Sequence, residues 1–302
     1  MNSPSVSMEE VTKRYAVVTG ANKGIGFGIC RQLASNGITV VLTARDENRG
    51  QEAVEKLKQS GYHNVIFHQL DVADAASIDS LADFIKRKFG KLDILVNNAA
   101  ISGVIVDADA LSRFVEDGEP IKWNEITTET YELVSKCIET NYYGAKRMCE
   151  ALIPLLQLSN APRIVNVSSS AGKLRNYATN EWAVGVLSDV ENLKEEKVEE
   201  VLNKYANDFK EGSPATKGWP ASLSAYVTSK AALNAYTRIL ARKYPNFLIN
   251  CVCPGYVKTD MTFNNGPLTI EDAAEGPVWL ALLPNDGPSG RFFSRKAETS
   301  FV

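Results

Sequence analysis

The sequence predicts a doubly wound α/β fold, a parallel sheet of seven strands with helices on both faces. Two observations carry that expectation. Short apolar runs of strand length alternate with helical patterns along the chain, and right-handed crossovers turn such an alternation into a buried parallel sheet. A glycine-rich turn also stands where the first apolar run passes into the first helical pattern.

The elements follow in order. Residues 15–19 are rich in β-formers and end at Gly20; a helix is expected from 24 to 35, stopped by Asn36-Gly37. Residues 38–43 read as the second strand and 46–60 as an amphipathic helix with Asp46 as its N-cap. A strand at 65–67, a helix at 74–89 and a strand at 92–96 come next. A single long helix is predicted over 127–158, bent at Pro154. Strands at 163–167 and 248–252 flank a helix at 225–244, and a helix at 269–283 and a short strand at 290–293 close the pattern.

One such sheet uses all 302 residues, so one domain is expected, with irregular insertions at 102–124 and 171–223. Insertions of that length in an α/β domain are read as a lid over the substrate, and the charged helix at 192–209 as a solvated face. With 33 basic and 36 acidic side chains the net charge is −3, and 44% of residues are hydrophobic. That composition excludes disorder, and no basic tract points to nucleic acid or to an anionic membrane. Only two histidines, His63 and His68, leave little room for a metal site or a Ser-His-Asp hydrolase. The five scattered cysteines suggest buried thiols in a reducing compartment. No apolar stretch reaches membrane-spanning length, the N-terminal segment has no secretory pattern, and the final Ser-Phe-Val carries no address. A soluble cytoplasmic protein is expected.

The glycine turn runs Thr19-Gly20-Ala21-Asn22-Lys23-Gly24-Ile25-Gly26. Glycines let backbone approach a pyrophosphate, and the following helix N-terminus offers unpaired N–H groups and a positive dipole end. Gly20, Asn22, Lys23, Gly24, Ile25 and Gly26 are therefore candidate cofactor contacts in a Rossmann dinucleotide site. The second strand leads to Arg45, a cation where the 2′-phosphate of NADP would lie, with Lys23 as a second. Asp46 is acidic and adjacent, but is read as the helix cap. NADPH is the expected cofactor, and no metal is expected.

With those residues in place the sequence resembles the short-chain dehydrogenase/reductase family over nearly its whole length. The motifs are the Thr-Gly-x-x-x-Gly-x-Gly loop, Asp71-Val72, Asn97-Asn98-Ala99, Ser168-Ser169, Tyr226-x-x-x-Lys230 and Pro254-Gly255. Asn22–Phe27, Phe67–Asp71 and Leu152–Gln157 resemble the carbonyl-reductase-like, mostly plant branch that includes menthone reductases and salutaridine reductase. The resemblance implies that Asp71 and Val72 hold the adenine and that Asn98 supports the pocket. It implies that Asn141 carries a proton-relay water and that Ser169, rather than Ser168, is the catalytic serine. Val257 and Thr259 would meet the nicotinamide carboxamide and phosphates. Ala100 departs from the family's usual glycine, a small tightening near the nicotinamide. Tyr226 follows Ser169 by 57 positions, far beyond the family's usual spacing, and the branch's insertion there covers a face used elsewhere for assembly. A monomer is implied.

Tyr226 and Lys230 at i and i+4 share one helix face. An ammonium near a phenol, with the positive nicotinamide of the oxidised complex, favours phenolate and is expected to lower its pKa. Ser169 would hydrogen-bond the substrate carbonyl oxygen, and Tyr226 would give it a proton. Ile101, Ser102, Leu174, Tyr177, Trp182, Met261 and Phe263 would line an apolar pocket for a hydrophobic ketone or aldehyde, terpenoid- or alkaloid-like. Alcohol oxidation with NAD(P)⁺, C=C reduction and a non-catalytic cofactor-bound regulator remain alternatives.

Overall fold

A computed structural model of the chain describes residues 13–116, 121–177, 179–212 and 214–302. The N-terminal segment read for a secretory pattern lies, through residue 12, outside the described residues, as do parts of both insertions (117–120, 178 and 213).

The strands are β1 (Tyr15–Val18), β2 (Thr39–Ala44), β3 (Val65–Gln69), β4 (Ile94–Asn97), β5 (Ile105–Val106), β6 (Thr127–Thr128), β7 (Arg163–Val167), β8 (Leu248–Cys253), β9 (Phe292–Ser294) and β10 (Ala297–Thr299). Eight of them form one sheet in the order β10-β9-β8-β7-β4-β1-β2-β3. The seven from β3 to β9 in that order run parallel, as expected. The eighth corrects the expectation: β10 folds back antiparallel on β9 as an edge strand. Its Ala-Glu-Thr sequence has no apolar signal, because an edge strand exposed on both faces needs none.

The strands alternate between two cores. Val17 and Val41 point into the one beneath α3 (Ala75–Phe89), α6 (Tyr131–Ile138), α7 (Ala145–Leu156) and α10 (Ser224–Lys243). Val18, Val40 and Leu42 point into the other, beneath α1 (Gly24–Ser35), α2 (Glu47–Gln59) and α11 (Ile270–Ala281). Burial on both faces is why these strands read as continuous apolar runs. Asp46 caps α2 as expected, its side chain accepting from Arg49 N at 2.9 Å.

The helix expected over 127–158 is divided. Residues 127–128 pair as β6 with β5, in the small hairpin that also holds α4 (Ala108–Glu116) and α5 (Trp123–Ile126). Thr130 then caps α6, and a π-helical turn at Glu139–Gly144 separates α6 from α7. Pro154 sits inside α7. The second insertion supplies α8 (Glu181–Ser188) and α9 (Glu195–Lys210). The latter lies across α6 and α10 and is tied to α7 by Lys146, which bridges Glu195 at 3.1 Å and Glu199 at 2.6 Å.

Candidate active site

The sheet reverses its winding between β1 and β4, so a crevice opens beyond their carboxyl ends, where doubly wound folds bind ligands. Thr19 Oγ1 accepts from the N–H groups of Asn98 and Ala99, both at 2.9 Å. Asn98 Nδ2 in turn donates to Thr19 O at 2.9 Å and Gly20 O at 3.1 Å. This lacing presses the glycine turn onto the end of β4. Gly20 has φ +61°, and a Cβ there would lie 2.9 Å from Ala99 Cα; one on Gly26 would lie 2.5 Å from Asn98 Nδ2. Helix α1 begins with no side-chain cap and no acid in its first turn, which leaves its N-terminus for an anion. The resulting cavity is about 700 Å³, a size and donor set that suit a dinucleotide.

Most expected cofactor residues meet there. Gly20, Asn22, Lys23, Gly24 and Ile25 line one side, with Arg45, Asp71 and Val72 at one end. Asn98, Pro254 and Thr259 line the other side, and Tyr226 and Lys230 the inner end. Three do not face the cavity. Gly26 packs against Asn98, and Gly255, at φ +97°, leaves room for Leu268. Val257 is buried and bridged to Leu268. They shape the wall rather than line it. Lys23 is also not free beside Arg45: its amine pairs with Asp260 across the cavity mouth, both side chains being exposed.

The inner end gathers the proton-handling groups. The Tyr226 hydroxyl lies beside Ser169, whose Oγ accepts from Ala171 N at 3.1 Å. Ser168 borders the cavity but commits its hydroxyl to Asn234 at 2.6 Å; Ser169 is set beside Tyr226 rather than on the cavity lining. Lys230 Nζ donates to Val167 O at 2.9 Å and stands 5.6 Å from the Tyr226 ring centroid. Burial pushes the Lys230 ammonium down to about 8. Burial also pushes the Tyr226 phenol well above its ordinary value, the Ser169 bond opposing it weakly. Burial thus acts against the lowering expected from Lys230 and the oxidised nicotinamide together. Removing a phenolate from water disfavours it.

Asn141 sits behind this end, in the π turn, and is buried. Its Oδ1 accepts from Ile101 N at 2.9 Å, and its Nδ2 faces Ile101 O and Ser229 Oγ, both at 3.0 Å, and Cys137 Sγ at 3.2 Å. Ser229 and Cys137 were missed in the sequence. Their signal was helical spacing: Cys137 lies one turn before Asn141, and Ser229 immediately precedes Lys230.

The family profile described as short chain dehydrogenase matches residues 14–185 and 212–267. The chain is a short-chain dehydrogenase. It is 63% identical to (+)-neomenthol dehydrogenase of Arabidopsis thaliana over 97% of this chain and all of that one. The solved structure of salutaridine reductase from Papaver somniferum superposes with TM-score 0.88 at 55% identity, covering 93% of this chain and 99% of that one. Menthone neomenthol reductase from Mentha piperita gives 0.84 at 55% identity, covering 94% and 99%. The chain is thus an oxidoreductase of a family that binds a nicotinamide cofactor, and the crevice is the candidate site for it.

The substrate wall of this short-chain dehydrogenase differs from expectation. Ile101, Ser102 and Met261 border the cleft beside Tyr226, joined by Ala100. Phe263 is exposed nearby, at φ +51°. Leu174 and Tyr177 are buried elsewhere, Tyr177 packing edge-on against Trp219. Trp182 lies on the outer surface of α8 beside Lys204. Among the described residues, none from 171–223 lines the cleft. Tyr177, Tyr205 and Trp219 of that insertion are buried in the core that lies under α6, α7 and α10, whereas segments 98–102 and 258–264 border the cleft.

Proposed function

We propose that this short-chain dehydrogenase uses NADPH to reduce the carbonyl of a hydrophobic ketone or aldehyde of terpenoid or alkaloid type. The observation that carries the reading is that Tyr226 and Lys230 line the inner end of the cleft with Ser169 beside the phenol. When bound, the reduced nicotinamide supplies hydride to the carbonyl carbon. Ser169 donates a hydrogen bond to the carbonyl oxygen and steadies its developing charge. Tyr226 delivers the proton to the same oxygen. Lys230, fixed by Val167 O, holds the ribose hydroxyls and offsets the charge left on the phenol. Asn141, anchored through Ile101, Ser229 and Cys137, keeps the π turn in place behind Lys230 so that a water can refill the proton.

Tyr226, present and placed to reach an oxygen, favours C=O over C=C as the acceptor. For the cofactor, Arg45 borders the cleft with its guanidinium exposed, and the acid beside it is engaged: Asp46 caps α2. That supports a 2′-phosphate over a bare ribose. Lys23 would serve the same phosphate only by leaving Asp260. The names of the relatives, for neomenthol, menthone and salutaridine, support a terpenoid or alkaloid substrate. The covering of α6, α7 and α10 by α9 supports a monomer. Five buried free thiols support a reducing compartment such as the cytoplasm, and among the described residues no helix is long and apolar enough to cross a membrane.

NADPH oxidation against a panel of monoterpenoid and alkaloid carbonyls, beside Tyr226→Phe, tests the reading. Turnover lost in the variant with NADPH binding retained is the expected result. Equal rates in both proteins, or no turnover on any carbonyl, would overturn it.

A further inference from the structure

Helix α10, which carries Tyr226 and Lys230, starts without a cap of its own. Leu223 occupies the N-cap position at φ +52°, and its side chain has nothing to accept an N–H. The first turn of a helix leaves backbone N–H groups that need partners. Here they are met from outside. Glu129, between β6 and α6, places Oε2 3.1 Å from Ser224 N and Oε1 2.9 Å from Ala225 N. Its Oε2 also accepts from Ser224 Oγ at 2.7 Å. A carboxylate at this end is favoured by the helix dipole as well.

The Ser224 hydroxyl reaches further. Its proton is given to Glu129, so the Tyr205 hydroxyl, 2.5 Å away, donates to Ser224 Oγ. Tyr205 lies on α9 in the second insertion, its ring edge-on to Trp219 at 5.3 Å. Trp219 Nε1 is held by Asp208 at 2.8 Å. Both long departures from the minimal α/β pattern therefore converge on Ser224, two residues before Tyr226. One leads into Glu129 and the other supplies Tyr205.

We propose that Glu129 is a positioning residue for proton transfer, setting through Ser224 and Ala225 the register of the turn from which Tyr226 projects. Tyr205 completes the clamp. The second insertion thus acts on the chemistry from behind the helix rather than as a lid across the cleft. This rests on Tyr226 being the proton donor. Misplacing a reacting group by about an ångström can cost 100-fold in rate, which a helix start freed of its cap permits.

The test uses Glu129→Ala, Glu129→Gln, Glu129→Asp and Tyr205→Phe in the full chain. We expect kcat for carbonyl reduction to fall about 10- to 100-fold in Glu129→Ala, with the NADPH dissociation constant, read by fluorescence, within about twofold of wild type. Glu129→Gln, which keeps one acceptor oxygen, falls between, and Glu129→Asp recovers part of the loss. The solvent deuterium isotope effect on kcat should rise in Glu129→Ala and Glu129→Gln, because proton donation becomes slower. Partial unfolding would leave that ratio unchanged. Should Glu129→Ala not fold, Glu129→Gln and Tyr205→Phe decide the matter by the same readouts. Wild-type kcat and isotope effect in those variants, with Tyr226→Phe inactive, would overturn the positioning role alone. Activity surviving in Tyr226→Phe would instead remove the reading on which it rests.

Discussion

Gly172 lies so close to Lys230 that a Cβ on it would stand 2.6 Å from the backbone carbonyl carbon of Lys230. Asn234 Nδ2 donates to Gly172 O at 3.1 Å, so the turn after Ser169 is pinned directly onto the helix that carries the lysine. The gap between serine and lysine is thus set by the absence of one side chain.

Gly172→Ala should separate those two elements. Forcing a methyl against backbone in a packed interior costs about 1–3 kcal/mol. Thermal unfolding should show a lower Tm, and kcat should fall further than the KM for NADPH rises. An unchanged kcat would mean that the contact does not set the geometry of the site.

Arg45 and Asp46 separate cofactor choice from helix stability. Arg45→Ala should raise the KM for NADPH about 10- to 100-fold, the value of a charge-assisted contact, and leave NADH nearly unaffected. Asp46→Ala removes the cap accepting from Arg49 N and should cost about 1 kcal/mol of stability with the cofactor ratio retained. Steady-state kinetics with both cofactors, beside denaturant melts, distinguish the two. A collapsed NADPH preference in Asp46→Ala would contradict the assignment.

The Lys23–Asp260 pair spans the cleft mouth with both side chains exposed. Exposed pairs contribute about 0–1 kcal/mol to folding, so Asp260→Asn should barely move Tm. It should instead release Lys23 to the cofactor's phosphates, tightening NADPH a few-fold at low salt and less at high salt. Weaker NADPH binding in Asp260→Asn would show that Asp260 itself serves the cofactor.

Lys230 makes stability depend on pH. Its folded pKa is held down to about 8 from 10.5 by burial. Between those values the unfolded chain binds more protons at this site than the folded one, so on its account stability rises with pH over that window. Lys230→Met lacks the effect. The variant's stability relative to wild type should therefore decline from pH 7 to pH 10.5, by on the order of 3 kcal/mol for a full shift of this size. Parallel pH–stability curves for the two proteins would show that the ammonium is not held down.

The phenol carries the opposite sign. Since burial raises Tyr226, carbonyl reduction should stay level from pH 6 to pH 8, whereas alcohol oxidation should climb with pH across the alkaline range. Initial rates in both directions check this. An alkaline fall in reduction centred near pH 7 would place the phenol's titration far lower.

What the sequence by itself determined is whatever depends on neighbours along the chain. Short continuous apolar runs marked the seven parallel strands. Asp46 announced the cap of α2, and the spacing of Tyr226 and Lys230 placed both on one helix face. The glycine turn identified the phosphate cradle because its requirement is local: backbone without Cβ at a strand-to-helix junction. The tertiary structure alone decided the rest. Lys23 pairs with Asp260, Glu129 caps a helix that begins some 95 residues later, and Leu174 and Tyr177 turn into the core under α10. Those outcomes follow from which distant segments the sheet order brings together. The Tyr226 phenol is the sharpest case. Sequence supplies the lysine beside it, but only packing supplies the burial that pushes the phenol up.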